Sequence, residues 1–286
     1  MKLAVLSDIH SNYIAFETCI SYIEHNQVDG ILFLGDNISD CPNPERTLGL
    51  IKELDHNYMT FHIRGNREEY FIDHKDGKSD NWEYSSYRGS LLYTYEHITA
   101  ADIEHFRQQE NCRVIQIEGT APITMVHGSP CSSRELLYAN SEKTREYMEE
   151  LTTDYLLCGH THRQFSYQYC NKLLINPGSV GVAIGCPATA HFAMLEWKQN
   201  KWEYQLISLP FDFKEVECFF LKSSLMEKAY VWPKCILKSM ETGINMGPLC
   251  AKAAYDMAVS DGINAKNNNI PELYWRRAAK ELGIVS

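Results

Sequence analysis

An α/β fold is what this sequence predicts, and three observations predict it. Short apolar runs at residues 3–6, 31–34, 61–63, 123–126 and 155–157 have the bounded pattern of strands buried on both faces. Each run delivers polar, metal-capable side chains at or just beyond its C-terminal end: Asp8 and His10, Asp36, Asn66, His127, then His160 and His162. Segments of helical spacing separate the early runs. In open α/β sheets ligands bind beyond the C-terminal ends of the strands, so residues far apart in sequence can converge there.

After the first run, Asn12 heads a segment with apolar Ile14, Ala15, Ile20 and Ile23. That spacing predicts an amphipathic helix ending near Asn26, with Asn12 as its N-cap. Asp29 and Gly30 break the chain before the second run, and Pro42 and Pro44 mark a loop ahead of a helix through Leu54. From 73 to 81 the chain turns polar and charged around Gly77, which predicts a surface loop beside the site. Thr99 with an acidic residue, Asp102, three positions on has the spacing of a helix start leading into Ile103 and Phe106. Strands are expected near 113–117 and 123–126.

Beyond the histidine pair, 164–169, 172–175, 192–197 and 203–208 read as consecutive antiparallel strands, a meander rather than a βαβ repeat. From about Phe211 helical patterns take over, at 213–222, 234–240, 249–259 and 271–282, the last opened by a proline in its first turn. The expected division is therefore a domain over 1–210 and a helical C-terminal extension over 211–286. The extension carries no ligand or nucleophile pattern. Its aromatics Tyr230, Trp232, Tyr255, Tyr274 and Trp275 read as packing residues rather than as a base-stacking platform.

Composition bounds the function. A chain of 286 residues with 44% hydrophobic content supplies a sizeable core. Its 27 basic and 37 acidic residues give a net charge of −10 with no basic run, which argues against a broad nucleic-acid surface built on phosphate neutralisation. Divalent cations can still supply local positive charge for an anionic substrate. The 10 cysteines are scattered from Cys19 to Cys250 without a CxxC pair, as expected of reduced thiols in a cytoplasmic protein. The apolar run before Asp8 is too short for a signal peptide, and no stretch approaches the ~20 apolar residues of a membrane span.

The candidate ligands mix imidazole with carboxylate and amide oxygen, a set suited to Mn, Fe, Zn or Ni, with Mn the ion to supply in an assay. A carboxylate can bridge two cations at roughly 3.5–4 Å, the separation used by two-metal hydrolases, and Asp36 is the candidate bridge. One aspartate after a strand is an ordinary turn residue, so the reading rests on all seven together. His25, His56, His62, His74, His97, His105 and His191 fall outside the pattern and are read as structural.

These residues resemble the calcineurin-like metallophosphoesterase superfamily. Five blocks match its motif series in order: Asp8-Ile9-His10, Gly35-Asp36-Asn37, Gly65-Asn66-Arg67-Glu68, His127-Gly128 and Gly159-His160-Thr161-His162. Asn176-Pro177-Gly178-Ser179-Val180 is similar to its small bacterial phosphodiesterase branch. The resemblance spans roughly 1–210 and implies a four-layer α/β/β/α sandwich. It implies two divalent metals, the first on Asp8, His10, Asp36 and His162, the second on Asp36, Asn66, His127 and His160. The implied reaction is hydrolysis of a P–O bond by a metal-activated hydroxide attacking in line with the leaving oxygen.

One departure stands out. Many members carry histidine after the asparagine of the third block, where this chain has Arg67. Arginine stays protonated and cannot act as a general acid near neutral pH, but it can clamp phosphate oxygens or pair with a surface carboxylate. With Asn66 and Arg67 as the catalytic candidates, the expected substrates are small phosphorylated molecules with good leaving groups: aryl phosphodiesters, nucleotides or dinucleoside polyphosphates. A serine/threonine protein phosphatase is the competing enzyme, weakened because a serine alkoxide benefits from an acid. A non-catalytic interaction module of this fold is the competing class, and it has no need of a complete ligand series.

Overall fold

The computed structural model describes residues 1–79, 82–265 and 269–285. The chain opens with strand β1 (Lys2–Leu6), helix α1 (Tyr13–Asn26), strand β2 (Gly30–Phe33), helix α2 (Pro44–Asn57) and strand β3 (Met59–His62). The three strands pair in parallel, β1 with β2 and β2 with β3. Side chains alternate across them: Ala4, Leu6, Ile31 and Phe33 enter one core, Leu3, Val5 and Leu32 another. Burial on both faces is why these strands read as continuous apolar runs. Asn12 caps α1 as expected, its side chain accepting the Ala15 N–H.

Three helices follow, α3 (Asn66–Lys75), α4 (Gly89–Glu96) and α5 (Ala100–Gln108), packed on one another through Phe71, Ile72, Leu91, Ile103 and Phe106. Thr99 and Asp102 form the expected capping box of α5. The polar stretch predicted as a loop from 73 is helical through Lys75, because α3 buries Phe71 and Ile72 while Asp73 and His74 are half-buried and Lys75 is exposed. Asp80 and Asn81, at the end of that predicted loop, lie outside the described residues.

The second half brings β4 (Cys112–Ile115), β5 (Ile123–Val126), α6 (Glu142–Glu150), β6 (Tyr155–Leu157), β7 (Gln164–Tyr169), β8 (Lys172–Pro177), β9 (Thr189–Lys198) and β10 (Lys201–Pro210). Here the expected meander needs correction. The pairs β7–β8 and β9–β10 are antiparallel hairpins, but they belong to different sheets. The first sheet has the order β10-β9-β1-β2-β3, the second β4-β5-β6-β8-β7. Between Pro177 and Thr189 the chain crosses from one sheet to the other and passes the C-terminal end of β1. Alternating polarity within a hairpin is the same in either sheet, so only the packing separates them.

Leu3, Val5 and Leu32 from the first sheet meet Ile123, Met125, Leu157 and Ile175 from the second in a core between the sheets. Helices α1 and α2 cover the outer face of the first sheet, and α6 places Tyr147 and Met148 on the outer face of the second. The result is the α/β/β/α sandwich.

Among the described residues, five helices close the chain: α7 (Phe213–Lys222), α8 (Leu225–Lys228), α9 (Trp232–Thr242), α10 (Met246–Ser260) and α11 (Glu272–Glu281). Val216, Phe220, Leu225, Ala229, Ile236 and Met240 join the same core as α1 and α2, whereas α10 and α11 build a cluster of their own around Trp275, Tyr274 and Cys250. Tyr274 and Trp275 are packing residues, while Tyr255 is 43% exposed. All ten cysteines are free. Among the described residues, no helix is long and apolar enough to cross a membrane.

Candidate metal centre

Asp8 and His10 follow β1, Asp36 follows β2, Asn66 is the first residue of α3, His127 follows β5, and His160 and His162 follow β6. Five of these seven, Asp8, His10, Asp36, His160 and His162, have positive φ between 51° and 64°. Non-glycine residues rarely adopt that region, and its concentration here is backbone strain held by the surrounding fold.

The structure brings all seven together. Donor atoms of Asp8, His10 and His162 lie within 4.8 Å of one another, and so do those of Asp36, His127 and His160. The two groups adjoin: His127 Nε2 is 3.9 Å from Asp8 Oδ1, His10 Nε2 is 3.9 Å from Asp36 Oδ2, and Asn66 Oδ1 is 3.1 Å from His127 Nε2.

Each imidazole is aimed by its other nitrogen. His127 Nδ1 donates to the Leu34 carbonyl at 2.7 Å and His162 Nδ1 to the Val182 carbonyl at 2.9 Å. A carbonyl only accepts, so both rings carry their proton on Nδ1 and turn Nε2 inward. His10 Nδ1 faces the Asp40 carboxylate at 3.3 Å. His160 is reversed: its Nε2 donates to the Arg134 carbonyl at 3.2 Å, leaving Nδ1 for the centre.

The carboxylates are sorted in the same way. Asp8 Oδ2 accepts from Ser7 Oγ at 2.6 Å and from the His160 amide at 3.0 Å, while its buried Oδ1 has no hydrogen-bond partner. Asp36 Oδ1 accepts the Arg67 amide at 2.8 Å, which leaves Oδ2 toward the histidines. Asp36 would thus offer Oδ2 to a cation.

Burial alone would raise the Asp36 carboxyl, but His127 and His10 beside it hold it down to about 2. Burial would likewise lower His10 and His127, yet their carboxylate neighbours raise them to about 9 and about 10. Burial, reinforced by His127, pushes His160 down to about 4. The cluster is thus an anionic hole that calls for positive charge. His10 Nε2 and His162 Nε2 face each other at 3.0 Å, a separation two lone pairs tolerate only with a proton or cation between them. The orphaned Asp8 oxygen, the inward lone pairs and the mixed N/O donors fit divalent transition-metal ions.

Two residues quoted in the sequence blocks, Glu68 and Ser179, had no role assigned there and prove to support the site. Glu68, fully buried, accepts the amides of Gly65, Asp36 and Asn37 at 2.8–2.9 Å and so fixes the turn that carries Asp36. A glutamate three residues after Gly65 is the acidic half of a capping box, a spacing that could have revealed it. Ser179 Oγ, on the crossing between the sheets, donates to the Asp8 carbonyl at 2.7 Å. Arg67 does pair with a carboxylate, but a buried one: its Nη2 is 2.7 Å from Asp40 Oδ2. Its Nε has no hydrogen-bond partner and lies 3.9 Å from Asp36 Oδ2.

An α/β/β/α sandwich with these side chains gathered at its strand ends defines a metallophosphoesterase fold. Residues 1–200 match the family model of the calcineurin-like phosphoesterase superfamily domain, and the chain belongs to that superfamily. Among solved structures it is similar to a hypothetical protein from Pyrococcus horikoshii OT3, with 19% identity, a TM-score of 0.70, and coverage of 85% of this chain and 98% of that one. A metallophosphoesterase from Sphaerobacter thermophilus is similar at 18% identity and a TM-score of 0.65, covering 85% of this chain and 100% of that one. At such identities the likeness concerns the fold. No curated protein matches this chain.

Proposed function

We propose that this chain is a metal-dependent phosphodiesterase acting on small phosphorylated substrates, with two divalent cations in its site. The observation that carries the reading is the pair of adjoining donor groups, with one buried Asp8 oxygen left without a partner. Asp8, His10, Asp36 and His162 would hold one ion; Asp36, Asn66, His127 and His160 would hold the other. When bound, such ions neutralise phosphoryl charge and lower the pKa of water at the site. Mn, Fe, Zn and Ni all suit the donor set, and Mn is the first to supply.

Arg67 is a catalytic candidate as an anion clamp. Its side chain is 19% exposed and its Nε is unpartnered, so it can donate a charge-assisted hydrogen bond to a phosphoryl oxygen. It supplies no proton to the leaving group. Esters whose leaving group departs as a stable anion are therefore preferred, namely aryl diesters and the pyrophosphate linkages of dinucleoside polyphosphates. Asn66, at the head of α3, presents its amide oxygen to the centre, 3.1 Å from His127 Nε2. In this reading residues 1–210 carry the chemistry, 211–286 form an extension, and the ten free cysteines suit a cytoplasmic location.

The test is hydrolysis of bis-p-nitrophenyl phosphate and of the corresponding monoester by chelator-treated protein, with and without added Mn²⁺. The expected result is turnover that returns with metal and favours the diester. No turnover with Mn, Fe, Zn or Ni would overturn the proposal.

A further inference from the structure

Asp40 lies between the candidate site and the helical tail, and its carboxylate is engaged on every side. Oδ2 meets Arg67 Nη2 at 2.7 Å and faces His10 Nδ1 at 3.3 Å. Oδ1 accepts the indole N–H of Trp232 at 2.8 Å and the Ser90 hydroxyl at 3.2 Å. The residue is 3% exposed. Its backbone is strained, with φ of +65° at Asp40 and +100° at Ser39, and is held by the Asp40 amide on Ser90 Oγ and the Ser39 amide on Ser11 Oγ.

We propose that Asp40 is a positioning residue that sets both the Arg67 guanidinium and the His10 ring, and that Trp232 of α9 holds it in place, so that the helical extension completes the site. The proposal rests on the phosphoesterase reading above. One carboxylate oxygen serves two site residues at once, so a displacement of Asp40 moves the anion clamp and a metal-facing imidazole together. An indole N–H donates and never accepts, so Trp232 can engage Asp40 only as a carboxylate acceptor. Removing that donor leaves Oδ1 with Ser90 alone and frees the carboxylate to turn.

The indole is itself gripped by the tail. A side chain on Gly247 of α10 would come within 3.0 Å of the Trp232 ring, so the helix backbone lies directly against it. Trp275 of α11 meets the ring edge-on, with centroids 6.4 Å apart at 79°. Three tail helices therefore converge on the placement of one N–H, and that N–H points at the carboxylate behind Arg67.

The experiment compares two equivalent substitutions. Trp232→Phe keeps a ring in the cluster and deletes the N–H on Asp40, whereas Trp82→Phe makes the same change at a buried indole, packed with Phe71 and Phe106 away from the tail, whose Nε1 has no partner. For Mn²⁺-loaded protein, Trp232→Phe is expected to lower kcat/KM for bis-p-nitrophenyl phosphate about ten-fold, the worth of a hydrogen bond to a charged group. Calorimetric binding of inorganic phosphate weakens in parallel. Trp82→Phe lowers the melting temperature and leaves both unchanged.

A third readout needs neither metal nor turnover. The Trp232 indole resonance, assigned by its loss in Trp232→Phe, is expected to move in Arg67→Lys protein. Wild-type kinetics and phosphate affinity in Trp232→Phe, or equal losses in Trp82→Phe, would overturn the proposal. Should the wild-type protein show no turnover at all, the phosphoesterase reading falls, and the indole resonance still decides the coupling: a shift in Arg67→Lys keeps it, and no shift rejects it.

Discussion

Substituting Gly65 by alanine isolates the role of Asp36. The backbone at Gly65 has φ −97° and ψ −173°, a conformation alanine adopts freely, so no dihedral strain enters. The added Cβ would nevertheless stand 2.5 Å from the Asp36 amide nitrogen and 2.9 Å from its Cγ, and closer still to Oδ1. Ordinary contact needs 3.4 Å or more, so Asp36 must shift. A rotamer change cannot relieve a clash with the backbone nitrogen, which is itself bonded to Glu68 Oε2 at 2.9 Å. The turn therefore moves by roughly 1 Å, a misplacement that costs on the order of 100-fold in rate, and the overpacking costs roughly 1–3 kcal/mol of stability. Gly49→Ala on α2 is the control, because nothing lies within 4 Å of its Cβ. It should raise stability by roughly 0.5–1 kcal/mol without touching activity. The assay is kcat/KM on bis-p-nitrophenyl phosphate, with metal content by elemental analysis and melting temperature alongside. Wild-type turnover and metal content in Gly65→Ala protein would refute the placement of Asp36 at the centre.

Asp36→Asn should cost at least about 100-fold in turnover and reduce bound metal, since groups that merely support ligands already cost 10- to 100-fold; an unchanged rate removes the two-metal proposal. Arg67→Ala should lower kcat/KM for the diester about ten-fold or more, while Arg67→His should raise the monoester-to-diester ratio by restoring a group that can donate a proton; an unchanged ratio would show that leaving-group assistance does not set the preference. Burial pushes His191 down to about 4 from an ordinary 6.5. The native state therefore binds fewer protons than the unfolded chain between those values, and His191 makes stability fall as pH drops from about 6.5 toward about 4. In chelator, the urea midpoint of His191→Gln should lose less than that of the wild type between pH 7 and pH 5; identical slopes would mean that His191 is not the group responsible.

The seven candidate ligands were legible because their chemistry restricts them to a few residue types and because strands buried on both faces write unbroken apolar runs ahead of them. Asn12 and Thr99 were legible for a similar reason, since a cap is decided within four residues. Helices α4 and α6 were not anticipated. Alpha6 is mostly charged and buries only Thr144, Tyr147 and Met148, too narrow a stripe to show in its sequence. Arg67 was recognised as a departure and read as a phosphate clamp, with a surface carboxylate as the alternative partner; the carboxylate it meets is the buried Asp40.

By itself the sequence determined the opening alternation β1-α1-β2-α2-β3, the strands of the later hairpins, four of the tail helices (α7, α9, α10 and α11) and the identity of the candidate ligands, because each depends on residues close together in the chain. Tertiary structure alone decided which sheet each hairpin joins, which nitrogen of each histidine turns inward, and that Trp232 meets Asp40 across 192 positions. Those outcomes depend on what stands opposite a side chain once the two sheets and the tail have packed, and no local period or spacing carries that information.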